Sequence, residues 1–327
     1  VNNQRDERVG DNMKHRVLGK TGLKVSEIGF GAWAIGGMDW GPKVEDSEAI
    51  AALHKAIDLG VNFVDTADVY GHGHSEELIA RVRKERKEEL IIATKAGNNF
   101  YEGERHQDFS KKYLMFAVEQ SLKRLGVEAL DLLHLHGPDA TDIQKGEIFD
   151  VLDTLKQQGK IRFAGISVRS FHDDEGVLAI QSGKVDTLQM RYNLLEWGPV
   201  DEVFPLAKEH NIGIIARIPL LFGVLTGKFT RAARFPEGDH RKENLSPEKL
   251  GQYLNQLVRL YFLFQGTEVT MAQTALRFIL SNDLVSTVIP GAKRPSQAAE
   301  NCAASDLGPL PPDVLDKIAD VIKGTKR

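Results

Sequence analysis

The 327-residue sequence predicts an α/β protein, a closed parallel (β/α)8 TIM barrel with an N-terminal β-hairpin and long loops at the C-terminal face of the barrel. Three observations predict it. Short β-rich runs alternate with runs of helical period, no Pro/Ser-rich linker separates them, and most helical runs stop at one Gly or Asn just before the next β-run. Parallel strands need right-handed helical crossovers, and eight such units close a ring. About 250 residues is typical of such a barrel, so the surplus goes to a lead-in hairpin, loops and a C-terminal helix. Length disfavours the alternative, an open doubly wound sheet.

Taken in order, residues 1–12 are polar and lack the apolar segment of a secretory signal, whereas Met13 opens the first patterned segment. They read as a disordered or added extension, with 13–327 as a single domain. A hairpin is expected over 14–25. The strands are expected at 25–33, 61–69, 90–97, 131–136, 161–167, 187–192, 212–220 and 285–291. Between them, apolar residues recur at helical spacing, as in Ile50, Leu53 and Ile57, or Leu114, Val118, Leu122 and Leu125. Gly60, Gly126, Gly159, Gly183 and Asn211 can each take φ > 0 and close a helix before the next strand. The surplus length falls mainly at 96–109, at 220–247 and after 304, and the first two segments follow strand ends, where barrels build their sites.

Composition narrows the partners. With 42 Lys and Arg against 46 Asp and Glu, a net charge of -4 and no run of like charges, neither nucleic acid nor an acidic membrane is expected as a partner. The most apolar stretch, 212–225, is interrupted by Arg217 and is shorter than the roughly 18 to 20 residues that span a bilayer. The one cysteine, Cys302, allows no internal disulfide and points to a reducing, cytoplasmic compartment. A monomer or weak homo-oligomer acting on a small molecule is expected.

Four residues at expected strand ends or just beyond suggest chemistry. Asp65 ends the second strand and Tyr70 follows it; Lys95 ends the third and His136 the fourth. A lysine buried alone costs several kcal/mol, and Asp65 on the adjacent strand supplies the counter-charge. A phenol of pKa about 10 is a reluctant acid unless a neighbouring cation stabilises its phenolate, which Lys95 can do. His136 can hydrogen-bond and polarise the same carbonyl oxygen. Such a group protonates an alkoxide but carries no hydride, so a cofactor is required. After the eighth strand, Gly291, Lys293 and Arg294 lead into a helix start, a setting suited to a phosphate. No metal site is expected.

These segments resemble the aldo-keto reductase family from about Arg16 to Ala304. The shared motifs include Leu18-Gly19, the run from Ile28 to Trp33, Asp65-Thr66-Ala67-Asp68 with Tyr70-Gly71, Lys95, the 131–136 strand, Gly165-Ile166-Ser167, Gln189 with Tyr192-Asn193, 225–228 and Ile289-Pro290-Gly291. The resemblance implies Tyr70 as general acid, Lys95 and Asp65 lowering its pKa, His136 positioning the carbonyl, and NADPH extended across the barrel mouth. It further implies Ser167 and Gln189 at the nicotinamide, Leu220 and Lys228 at the pyrophosphate, and Lys293, Gln297, Glu300 and Asn301 at the adenosine end, with Gly31 and Gly291 beside the cofactor.

The chain departs from the family pattern in three places. Val168 replaces a common Asn, Arg217 stands where many members place an aromatic that stacks on the nicotinamide, and Gly291 replaces a Lys, leaving the 2′-phosphate to Lys293 and Arg294. Trp33, Phe100 and Trp197, with Trp40 and Tyr101, are candidates for the substrate pocket.

Three rivals stand beside this reading. Gly29-Phe30-Gly31-Ala32-Trp33-Ala34 fits a dinucleotide fingerprint, yet no helix opens before about Asp46. His134 and His136, two apart on a strand, fit a metal-dependent barrel hydrolase. The same fold and cofactor site also serve, within the family, as a channel-associated regulatory subunit.

Overall fold

The computed structural model describes residues 13–37, 41, 44–169 and 174–324. The extension expected at 1–12 and the pocket candidate Trp40 lie outside them. Eight parallel strands form one sheet: β1 (Phe30–Gly31), β2 (Phe63–Asp65), β3 (Ile91–Ala96), β4 (Leu130–His136), β5 (Ile161–Ser167), β6 (Thr187–Arg191), β7 (Gly213–Arg217) and β8 (Val285–Val288). They neighbour one another in chain order. The ring closes where Ile28 bridges Val288 and Gly31 bridges Gly291, with Gly29 N–H donating to Val288 O at 2.8 Å and Gly31 N–H to Pro290 O at 3.0 Å. This is the (β/α)8 barrel that the alternation predicts.

Helices cover the outside of the ring. They include α1 (Asp46–Asp58), α2 (His74–Glu85) and α3 (Lys111–Leu125), and at the far end of the chain α4 (Pro295–Leu307) and α5 (Pro312–Lys323). In α3 the predicted stripe Leu114, Val118, Leu122 and Leu125 is buried. The helix stops behave as their residue types suggest: Gly60, Gly126, Gly159, Gly183 and Asn211 all have positive φ. Most strands are shorter than expected, because the chain peels away from the ladder as it reaches the mouth. The 25–33 run divides between the second hairpin strand, Lys24–Ser26, and β1.

Strand alternation divides the core in two. Val64, Ile92 and Leu133 face the helices, whereas Phe63, Ile91, Ala93, Leu132, Ile215 and Ile289 pack inside the ring. The hairpin His15–Val17 with Lys24–Ser26 stops the N-terminal end of the ring, placing Leu18 and Val25 in that inner cluster. Arg16 anchors it by donating to the carbonyls of Leu280, Asn282 and Val285. No helix of the described residues is long and apolar enough to cross a membrane.

The interior leaves little room at Gly165 of β5. A Cβ there would lie 2.3 Å from Thr187 Oγ1 and 2.7 Å from His134 Cδ2, whereas one on Gly183 would meet open space. Gly165→Ala is therefore expected to cost about 3 kcal/mol through overpacking, and Gly183→Ala, at φ 69, about 1 kcal/mol through backbone strain alone. Urea denaturation of the two variants checks the difference.

Candidate active site

The period of two that fills the barrel with apolar side chains also builds the site. Asp65 shares its face with Phe63, Lys95 with Ile91 and Ala93, and His136 with Leu132; Ser167, Gln189 and Arg217 end or nearly end β5, β6 and β7. All six converge on the C-terminal mouth and line a cavity of about 780 Å³, except Lys95, which lies beneath its wall. Tyr70 joins them from the loop after β2. Gly71, His72 and Gly73 turn that loop with φ of 61°, 53° and 95°, and a Cβ on Gly71 would collide with Gly36 O at 1.9 Å. This close contact with the loop after β1 fixes the backbone that carries Tyr70.

Lys95 is the hub. Its ammonium donates to Asp65 Oδ1 at 2.8 Å, Asp65 Oδ2 at 2.7 Å and Thr66 O at 2.7 Å, and the side chain is 1% exposed. The Nζ stands 5.1 Å from the centroid of the Tyr70 ring. Gln189 Nε2 donates to Asp65 Oδ1 at 2.6 Å, and Ser167 Oγ donates to Gln189 Oε1 at 3.3 Å. The two residues expected at the nicotinamide are thus wired to the carboxylate of the expected catalytic set. Trp33 stacks on the Tyr70 ring at 5.7 Å and His136 meets it edge-on at 6.0 Å.

The protonation states follow from burial. Burial raises the Tyr70 phenol above its ordinary value, and the opposing fields of Lys95 and Arg217 do not overcome it. This corrects the expectation that Lys95 and Asp65 together lower the Tyr70 pKa: Asp65 itself opposes phenolate formation. The cations limit the rise and Tyr70 holds its proton. Burial works against the Lys95 ammonium too, but Asp65 and Tyr70 outweigh it and raise its pKa. Burial, then Lys95, Arg105 and Arg217, hold His136 well below the usual imidazole range, so its ring is neutral. Its Nδ1 is buried with no hydrogen-bond partner among the described residues.

Other expected residues separate. Gly31, Leu220, Lys228, Gly291, Lys293, Arg294 and Gln297 line the same cavity. Glu300 and Asn301 lie outside its wall: the Glu300 carbonyl accepts from Gln273, and Asn301 Nδ2 donates to Gly291 O at 3.4 Å. Of the aromatic candidates, Trp33 lines the cavity, but Phe100, Tyr101 and Trp197 do not. Phe100 stacks between His72 and Tyr101, and Trp197 stacks on Phe278 and donates to Leu194 O at 3.0 Å. His134 sits one layer below the mouth against Thr187 Oγ1, at 3.0 Å. Among the described residues no three His, Cys, Asp or Glu side chains gather as a metal-ligand set.

The wall after β7 and β8 suits a polyanion. Lys228 and Lys293 both fall below the ordinary lysine pKa, from burial first and then from the field of Arg241. Cations crowded in this way would gain from a bound anion. Arg294 caps the start of α4 without a side-chain hydrogen bond to the helix and pairs with Glu48 at 3.2 Å. Beside them the chain from Ile218 to Gly223 turns through positive φ at Ile218, Leu221, Phe222 and Gly223, strain of the kind found at ligand clamps. At Arg217 burial, then Arg191, lower the guanidinium pKa to about 10; its Nη2 donates to Val168 O at 2.9 Å, and its Nε has no partner among the described residues.

A family model for the Aldo/keto reductase family matches residues 27–323. The chain belongs to that family. Among relatives of this aldo/keto reductase, a probable voltage-gated potassium channel subunit beta of Arabidopsis thaliana is 35% identical, over 95% of this chain and 97% of that one. The L-glyceraldehyde 3-phosphate reductase of Escherichia coli is 34% identical over 91% and 89%. The holo form of aldo-keto reductase AKR11C1 from Bacillus halodurans superposes with a TM-score of 0.78 at 29% identity, covering 94% and 96% of the two chains. The reductase mouth also recruits residues that the sequence did not single out, notably Arg105, Gln107 and Arg169.

His134 and His136 are both neutral in the folded chain because burial disfavours their charged forms. Each regains an ordinary pKa near 6.5 on unfolding, so below about that pH the unfolded chain binds more protons and stability falls with pH. The thermal midpoint should be level above about pH 7 and drop below about pH 6.5. His134→Gln, which keeps a polar partner for Thr187, should flatten that drop.

Proposed function

We propose that this aldo/keto reductase reduces an aldehyde or ketone with NADPH, Tyr70 donating the proton to the carbonyl oxygen. The convergence of Tyr70, Asp65 and neutral His136 on one cavity wall, with Lys95 paired to Asp65 beneath it, carries the reading. The cavity fits the cofactor on two counts, the crowded cations Lys228 and Lys293 and the strained clamp at 218–223. When bound, the nicotinamide supplies hydride. Ser167, Gln189 and Arg217 would hold its ring, Leu220 and Lys228 the pyrophosphate, and Lys293, Arg294 and Gln297 the adenosine end.

In this arrangement neutral His136 donates a hydrogen bond to the carbonyl oxygen, orienting it toward the phenol. As negative charge grows on that oxygen, Tyr70 releases its proton to it. Lys95 and Arg217 stabilise the phenolate left behind. In the oxidative direction Tyr70 acts as the base. We read the chain as cytoplasmic from its single buried cysteine, Cys302.

Tyr70→Phe should lower kcat for any accepted carbonyl about 10²- to 10⁴-fold, the usual contribution of a positioned acid, while NADPH still quenches protein fluorescence. Carbonyl reduction should hold through neutral pH and decline only above about 10, as Tyr70 ionises. A basic limb near neutrality would count against Tyr70 as the acid. Lys293→Met should raise KM for NADPH about tenfold and leave NADH nearly unchanged, the loss of one charge-assisted phosphate contact. Equal affinities of the parent protein for the two cofactors would refute the NADPH preference. A cofactor-binding subunit without turnover is the second reading, favoured by the 35% identity to the Arabidopsis channel-subunit relative. Turnover that Tyr70→Phe abolishes would dismiss it.

A further inference from the structure

The wall of the mouth carries a second group of cations, away from the cofactor side. Around the ring β3, β4 and β5 are neighbours, whereas Lys228, Lys293 and Arg294 follow β7 and β8. In the β3–β5 sector the cavity is lined by Arg105 and Gln107 from the loop after β3, His136 and Gly137 at the end of β4, and Arg169 just past β5. Gln107 ties the three loops together. Its Nε2 donates to Gly137 O at 2.8 Å and its Oε1 accepts from Arg169 Nη1 at 2.9 Å. The stem of Arg169 lies over Gly137, where an added Cβ would be 3.2 Å from Arg169 Cβ.

Among the described residues that line this sector, the charged side chains are Arg105 and Arg169. Among the described residues, the carboxylates in the cavity wall are Glu48 and Asp65, and both are engaged elsewhere, by Arg294 and Lys95. No carboxylate among the described residues lies within ion-pair distance of Arg169, whose guanidinium is held at the rim by a neutral amide. The field of this wall reaches the reacting centre: Arg105 acts on the His136 ring. Cations held in place around a cleft focus anions into it. Register gives the scale. His136 pairs with Ser167, and Arg169 lies two residues further along, about 7 Å toward the mouth at the rise of an extended chain.

We propose that the β3–β5 sector is an oxyanion subsite, with Arg169 as its specificity-determining residue, and that the carbonyl substrates are short molecules bearing a carboxylate or phosphate a few bonds from the reacting carbon. The proposal rests on the reductase reading for the word substrate, though not for the existence of the subsite. With the carbonyl oxygen between Tyr70 and His136, the remainder of the molecule runs along the His136 wall and delivers its anionic end to the Arg169 guanidinium.

Two measurements test this separately. Calorimetric titration of succinate and of inorganic phosphate into the protein saturated with NADP+ reads the subsite without turnover. At least one anion should bind, and Arg169→Gln should weaken it about tenfold, the loss of a charge-assisted contact, while Arg169→Lys retains most of the affinity. Absence of binding by both anions, or equal binding by the parent and Arg169→Gln, overturns the subsite. Initial rates are then compared within two pairs, succinate semialdehyde against butyraldehyde and glyceraldehyde 3-phosphate against glyceraldehyde. In at least one pair the charged member should have the higher kcat/KM, and Arg169→Gln should lower that charged-to-neutral ratio about tenfold through KM. The pair that responds distinguishes carboxylate from phosphate. A ratio at or below one in both pairs, or an Arg169→Gln effect that raises KM for NADPH instead, overturns the substrate assignment. Anion binding lost in Arg169→Gln with no aldehyde reduced leaves the subsite in place and removes the reductase reading.

Discussion

The buried pair of Lys95 and Asp65 is the constraint around which the mouth is organised. An ammonium and a carboxylate, each taken almost wholly out of water, persist only because every donor and acceptor is answered: Lys95 by both Asp65 oxygens and Thr66 O, Asp65 additionally by Gln189. Removing either partner would leave an uncompensated interior charge, at a typical cost of about 3–5 kcal/mol. The pair therefore fixes β2 against β3 at the mouth and holds a permanent cation beside the Tyr70 ring. It also reaches across the barrel to β6 through Gln189.

A cation near the phenol was expected to make it more acidic, and the structure qualifies this. Burial of Tyr70, together with Asp65, disfavours the phenolate by more than Lys95 and Arg217 favour it. The cations do not ionise Tyr70 in the resting protein; they limit the rise that burial imposes on its pKa. His136 shows the other half of the logic. The same cations that ease phenolate formation keep the imidazole neutral. Burial thus keeps both neighbours uncharged, and the same positive charge opposes it at Tyr70 and reinforces it at His136.

Much of this was legible in the sequence. Alternation along a strand declares which side chains enter the barrel, and Asp65, Lys95 and His136 fall at strand ends on the inward face. The helix stops were legible for a local reason, since φ > 0 is tolerated by few residue types, and Asn211 at 52° is the one position where the device works without glycine. Pattern fails where no period operates. Arg105, Gln107 and Arg169 lie on loops, and their convergence depends on which loops touch, which Gln107 decides in space. Phe100 and Trp197 have the right chemistry for a pocket, but the facing of an aromatic ring outside a strand or helix follows from its neighbours, here His72 and Phe278. The sign of the Tyr70 shift was equally hidden, because a motif names the charged neighbours of a phenol and says nothing of its exclusion from water.

The closure of the ring has a consequence for how the working parts divide. Asp65, Tyr70, Lys95 and His136 come from the first half of the chain, whereas Lys228, Lys293, Arg294 and the strained segment at 218–223 come from the second. The halves meet side by side along two lines, the β4–β5 ladder and the seam of β1 with β8. That seam is narrow: it is carried by Gly29 and Gly31 against Val288 and Pro290, and a Cβ on Gly31 would stand 2.7 Å from Ile289 O. The backbone at residues 29–31 and 288–291 is thus the seam that sets the proposed proton-transfer groups against the proposed phosphate wall. A bulkier residue there would spread the mouth and put the two halves out of alignment, while every side chain of the site remained present.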